Sequence, residues 1–256
     1  MDDKKLLKNK PLVEAIFELH WSLQDSPGAA SIDPHFEVFF GRFYDRVLKD
    51  YPIHVRLPTA SMPAEIAQFV PRHQFRRVAN GWPLIQIGHG VATLNDTDAY
   101  DWDDFRIRVE SLLSTLYDTY PSGSLRPEWA QLRYIDAIAF DYGKENAFDF
   151  LKNHMKTRIE LNEGLFKDTG VTHSPLGFDL RFGFASEQPK GTMTQRLVTG
   201  ESKGKKSLIW ETIVQSSSVE EVKDLQTIRR WVDEAHALTH DWFFKTIEGE
   251  LERRFS

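Results

Sequence analysis

The chain has 256 residues, with 32 Lys or Arg against 38 Asp or Glu, a formal net charge of −6 at pH 7. Its 41% hydrophobic and 27% charged content is globular rather than disordered or fibrous, and a pI near 5.9 argues against a general affinity for nucleic acid. The absence of cysteine excludes a disulfide framework, a thiolate zinc site, a cysteine nucleophile and an iron–sulfur cluster, and favours a cytoplasmic setting over a secreted one.

Residues 1–10 hold four Lys and read as a lead-in, with no apolar run of signal-peptide or membrane-helix length anywhere behind them. Leu12–Trp21 alternates: Val13, Ala15, Phe17, Leu19 and Trp21 fall on one face, and Glu14, Ile16, Glu18 and His20 on the other, which predicts a strand. After a loop over 24–30, Asp33 and Pro34 open a helix whose stripe is Phe36, Phe39, Phe40, Phe43 and Val47. His54–Leu57 is a weak strand. Gln74–Ala79 and Pro83–Leu94 flank Asn80-Gly81, predicting a hairpin with positive φ at both turn residues. Gly88 and Gly90 predict a bulge around His89. A second helix starts near Asp101, with Trp102, Phe105, Val109, Leu112, Leu113, Leu116 and Tyr120 on its stripe.

Past the linker Pro121–Pro127, the pattern restarts. Trp129–Tyr142 reads as a strand, Ala147–Leu161 as a helix, and Asn162–Leu176 as a loop. Strands follow at Phe178–Ala185, Thr192–Thr199 and Ser207–Gln215, then a closing helix from Asp224 to Arg254. The order β-α-β-β-β-α thus occurs twice, with offsets of roughly 117–124 residues. The expected fold is α+β: two pseudo-repeats, 11–121 and 128–256, forming one compact unit of mainly antiparallel sheet with helices on one face.

Pro11-Leu12-Val13-Glu14-Ala15-Ile16-Phe17-Glu18, Leu132-Arg133-Tyr134-Ile135-Asp136, Leu84–Gly88, Asn95 and the Tyr100-x-Trp102-x-x-Phe105 helix entry carry a resemblance. They are similar to a sporadically distributed bacterial family of uncharacterised proteins. That resemblance implies a bacterial or mobile-element origin and supplies no catalytic residues. The twice-repeated order also resembles, in topology alone, the TATA-binding-protein type of fold.

Several motifs suggest chemistry. Gly200-Glu201-Ser202-Lys203-Gly204-Lys205-Lys206-Ser207 has phosphate-loop flavour, but its glycine spacing is short and a strand follows, so a basic hairpin tip is expected. His236-x-x-x-His240 is half a zinc site lacking the metalloprotease Glu; no metal or other cofactor is expected. Asp96, Asp98, Asp101, Asp103 and Asp104 read as helix capping, since calcium-loop glycine and distal Glu are missing. Arg72, His73, Arg76 and Arg77 around Phe75, with Lys203, Lys205 and Lys206, are the nucleic-acid candidates. Glu14, Glu18, His20, Arg133 and Asp136 are the ligand or ion-pair candidates, because charges on central strands need partners. Glu14 and Arg133 are expected to meet in a salt bridge, directly or through Glu18. The sequence favours a non-enzymatic binding or interaction module whose partner is another protein or a second copy of the chain. The alternatives are an enzyme with a groove lined by Glu14, Glu18, His20 and Arg133, or a nucleic-acid binder; no membrane is involved.

Overall fold

The computed structural model describes residues 7–26, 29–63, 66–97, 100–121 and 123–256. In chain order the elements are β1 (Leu12–Trp21), β2 (Gln24–Ser26), β3 (Ala29–Ile32), α1 (Phe36–Val47), β4 (Ile53–Arg56), β5 (Pro71–Arg76), β6 (Leu84–Gly88), β7 (Val91–Asp96) and α2 (Trp102–Thr119). The second half holds β8 (Pro127–Ala139), α3 (Ala147–His154), β9 (Asp179–Glu187), β10 (Lys190–Ser202), β11 (Lys205–Ser216), α4 (Leu225–Ile247) and α5 (Glu250–Phe255).

Nine strands form one antiparallel sheet in the order β4-β5-β6-β7-β1-β8-β11-β10-β9, and β2 pairs with β3 apart from it. The two opening strands, β1 and β8, are neighbours at its middle. From there each half runs outward through its last strand first. Alternation decides which side chains face the helices. Ala15, Phe17, Leu19 and Trp21 of β1 are fully buried, and Phe17 lies opposite Leu94 of β7 and Leu132 of β8. Burying a large apolar side chain contributes about 1.5–3 kcal/mol, so each of Phe17, Leu19 and Trp21 is a substantial stabilising contact.

The helices cover one face and make two cores. The larger gathers Phe36, Phe39 and Phe43 of α1, Phe105, Leu112 and Leu116 of α2, and Ile228, Trp231 and Ala235 of α4. The smaller joins Ile138, Phe140, Leu197, Leu208 and Trp210 to Leu151, Ile247, Leu251 and Phe255. Capping sets the helix starts: Asp101 accepts from the amides of Asp103 and Asp104, and Asp224 forms a capping box with Thr227.

Several expectations are corrected. The segment 24–30 is not plain loop, because β2 and β3 lie partly in it. The predicted strand Pro83–Leu94 is two strands, and His89-Gly90 is a tight turn between them rather than a bulge; Gly90 supplies φ +74°. Around Asn80-Gly81 the strands are antiparallel as expected, yet they end at Arg76 and resume at Leu84. Asn80 alone of the pair has positive φ, because the longer loop is tied instead by the Arg76 guanidinium donating to the Gly81 carbonyl. The helix over 147–161 stops at His154, where Lys156 turns left-handed. The closing helix is two, broken at Gly249 with φ +112°.

Candidate functional site

The open face of the sheet carries most of the charged candidates, and the structure disperses them. The Glu14 carboxylate accepts from Asn95 Nδ2 at 2.9 Å. Glu18 meets His20 Nε2 at 2.5 Å, and the His20 ring stacks on Trp129 at 3.6 Å beside Phe69. Arg133 pairs with Glu211 at 2.8 Å, not with Glu14 or Glu18. This corrects the expected ion pair. Register does not separate the two acids, since Ile16 and Ile213 lie opposite Arg133 and Glu14 and Glu211 both lie opposite Ile135, each a diagonal neighbour of the arginine. Glu211 flanks Ile135 from the other side, and at 5% exposure its charge gains more from a partner. Arg196 joins the same carboxylate at 3.0 Å. Around Arg133, Arg181, Thr194 and Glu211 lies a polar depression of about 270 Å³.

The basic candidates do not converge either. Arg72 bonds His89 and the Met62 carbonyl, Arg76 bonds Gln74 and lies over Trp82, and Arg77 is exposed. Lys203, Lys205 and Lys206 sit at the β10–β11 hairpin tip, where Lys203 and Gly204 have φ of +50° and +73°. Four strands separate β5 from β11. Of the acidic cluster, Asp98 lies outside the described residues, Asp101 caps α2, and Asp104 holds Arg108.

Asp136 is different, for it faces the helices. Along β8 the inward positions run Ala130, Leu132, Tyr134, Asp136, Ile138, so two polar side chains interrupt the apolar row. On β11, Thr212 and Trp210 lie opposite Tyr134 and Asp136; on the other side Leu12, the first residue of β1, lies opposite Asp136. The two cores therefore do not merge. Between them is a cavity of about 170 Å³, mostly apolar, walled by Leu12, Tyr134, Asp136 and Thr212 from the sheet. The N-terminal segment adds Leu7 and Lys10, the α2 entry adds Tyr100, Asp101 and Trp102, and α4 adds His236, Thr239, His240, Phe243 and Phe244.

A hydrogen-bond chain lines one wall. Tyr100 and Tyr134 hydroxyls meet at 2.7 Å, and the Tyr134 hydroxyl lies 2.9 Å from His236 Nδ1. The His236 ring stacks on Trp102 at 3.6 Å, nearly parallel. Burial, joined by the Asp136 charge, pushes the Tyr134 hydroxyl far above its usual range, and Tyr100 rises likewise. Burial lowers His240, opposed by Asp241. The Lys10 ammonium donates to the Tyr100 carbonyl at 2.7 Å.

Asp136 has no such ties. It is 3% exposed, and among the described residues no hydrogen bond or ion pair holds its carboxyl. Burial, with no opposing influence, pushes it up to about 8. It was legible in the sequence as an acidic residue at an inward strand position. Tyr100, Trp102 and Tyr134 escape such a reading, because aromatic residues on a stripe or strand look like core until a cavity is found beside them, and His236 drew notice only as half of a metal pair. His236 and His240 do share the cavity wall, with ring centroids 5.6 Å apart. Among the described residues no group of three or more His, Cys, Asp or Glu could hold a metal ion, and no helix is long and apolar enough to cross a membrane.

Comparison with known protein families, curated proteins and solved structures finds no match to this chain.

Proposed function

We propose that this protein binds a small molecule in the cavity between its two cores. The observation that carries this reading is Asp136: a buried carboxyl bordering an aromatic-walled cavity, with no hydrogen-bond or ion-pair partner among the described residues. Apolar pockets with a few convergent polar groups and a perturbed carboxyl are the usual form of small-molecule sites. The reading keeps the expectation of a binding module and makes its partner a small molecule rather than another protein. The outward strand order of the two halves supports an internal duplication, with the cavity near the junction of the opening strands β1 and β8.

A second reading, an acid–base enzyme, is favoured by a carboxyl that titrates near neutral pH beside the Tyr100–Tyr134–His236 chain. The two differ in turnover. Native mass spectrometry of the protein purified from its own cells tests both. A bound mass lost in Thr239→Phe, which fills the cavity, is expected. A bound mass that is converted on incubation selects the enzyme. The same bound mass retained by Thr239→Phe, or no bound mass together with no stabilisation by any member of a fragment library, overturns the cavity reading.

A further inference from the structure

We propose that the cavity recognises an organic cation, a compound of about one aromatic ring carrying a protonated amine, with Asp136 as its counter-ion. This rests on the reading of the cavity as a small-molecule site.

Three observations point to a cation. The first is the carboxyl itself. A buried carboxylate in a protein is normally paired or hydrogen-bonded, and Asp136 is neither among the described residues. A ligand ammonium is the group that completes it. The second is the wall. Tyr134, Trp102, Phe243 and Phe244 line the space, and the negative faces of aromatic rings attract ammonium groups. Carboxylate and aromatic faces together select a cation over an anion of the same shape. The third is the charge of the lining. The titratable groups that face the space are Lys10, Tyr100, Asp101, Tyr134, His236 and His240. Among the described residues of the lining Lys10 is the one fixed cation, and it is held away on the Tyr100 carbonyl. Its charge does not offset the burial of Asp136, while Asp101 adds a second negative group at the rim.

Size sets the ring count. A cavity of about 170 Å³ is slightly larger than the ~150 Å³ engineered cavity that takes up benzene, leaving room for a short amine arm.

Binding then carries a proton signature. In the empty protein at neutral pH Asp136 holds its proton, because burial opposes ionisation. An ammonium beside it stabilises the carboxylate, so the proton leaves to buffer while the ligand keeps its own. One proton is released per cation bound, and affinity rises up to about tenfold per pH unit below the carboxyl's own titration.

Isothermal titration calorimetry with benzylamine, benzyl alcohol and phenylacetate, each in two buffers of different ionisation enthalpy, tests this. Expected is binding of benzylamine with release of about one proton, at least about tenfold weaker binding of the other two, and at least about tenfold loss in Asp136→Asn. Asp136→Asn keeps the shape of the side chain, and its thermal unfolding midpoint verifies the fold before the titration. Equal or tighter binding of benzyl alcohol or phenylacetate, or full benzylamine affinity in Asp136→Asn, overturns the cation and leaves the cavity reading standing. No binding of any of the three, all of which the cavity could hold, removes both.

Discussion

Asp136→Asn should stabilise the empty protein, and by an amount that depends on pH. The folded carboxyl titrates at about 8 against 3.8 for the free group. Between those values the folded chain keeps a proton that the unfolded chain has lost. The unfolded state therefore binds fewer protons, and Asp136 lowers stability by about 1.4 kcal/mol for each unit of rising pH. Below the unfolded value the penalty is absent, and above the folded value it levels off. Asn carries no titration, so any fixed difference in its packing or hydrogen bonding is the same at every pH. From about pH 5 to about pH 7 the advantage of Asn over Asp should grow by about 3 kcal/mol. For a chain of this size that is a difference in Tm growing by about 6–12 °C. Urea or thermal denaturation of both proteins over this range measures it, and subtraction cancels every other titrating group. A difference that stays flat, or shrinks as pH rises, would refute the claim that burial raises the titration of Asp136.

Other outcomes follow from the open face, the buried Asp33 carboxylate and the close approaches. Arg133→Met and Arg196→Met should each be mild, since the other arginine still holds Glu211; together they leave a buried carboxylate unpaired and should cost about 3–5 kcal/mol in urea denaturation, more than the sum of the singles. Glu14→Gln combined with Arg133→Met should instead be additive, because Glu14 is tied to Asn95; a coupling above about 0.5 kcal/mol would restore the Glu14–Arg133 pair. Asp33→Leu removes the acceptor of Trp21 Nε1, the Tyr120 hydroxyl and the His35 amide at once, so a loss of about 3–5 kcal/mol is expected by thermal denaturation, and a loss under about 1 kcal/mol would be inconsistent with that network. In Gly88→Ala the new Cβ would fall 2.1 Å from the Val70 carbonyl oxygen, and a drop of about 1–3 kcal/mol is expected, whereas an unchanged midpoint would show that the 66–70 segment does not cross β6 so closely.

The sequence by itself determined the elements that depend on periodicity and capping. Strand β1 runs Leu12–Trp21 as its alternation requires, because one-residue alternation permits burial of Ala15, Phe17, Leu19 and Trp21 in no other regular structure. Asp101 starts α2 because its carboxylate meets the amides of Asp103 and Asp104, a purely local interaction. Less local features were misread for the reason that they are not local. The Asn80-Gly81 dipeptide suits a two-residue turn, but Arg76 ties a longer loop from outside it. Arg133 chose Glu211, which lies far along the chain, over Glu14, because both are diagonal neighbours and the more deeply buried carboxylate gains more from the pair, while Asn95 holds Glu14. The cavity is the furthest of all from the sequence. Tyr134, Asp136 and Thr212 alternate with apolar residues on two strands, Trp102 opens one helix, and His236 lies midway along another. Only when β1, β8 and β11 pair in this register, with α4 laid across them, do these residues enclose one space between two cores that fail to meet. A buried carboxyl with no partner among the described residues is a property of that enclosure, and no single segment of the chain contains it.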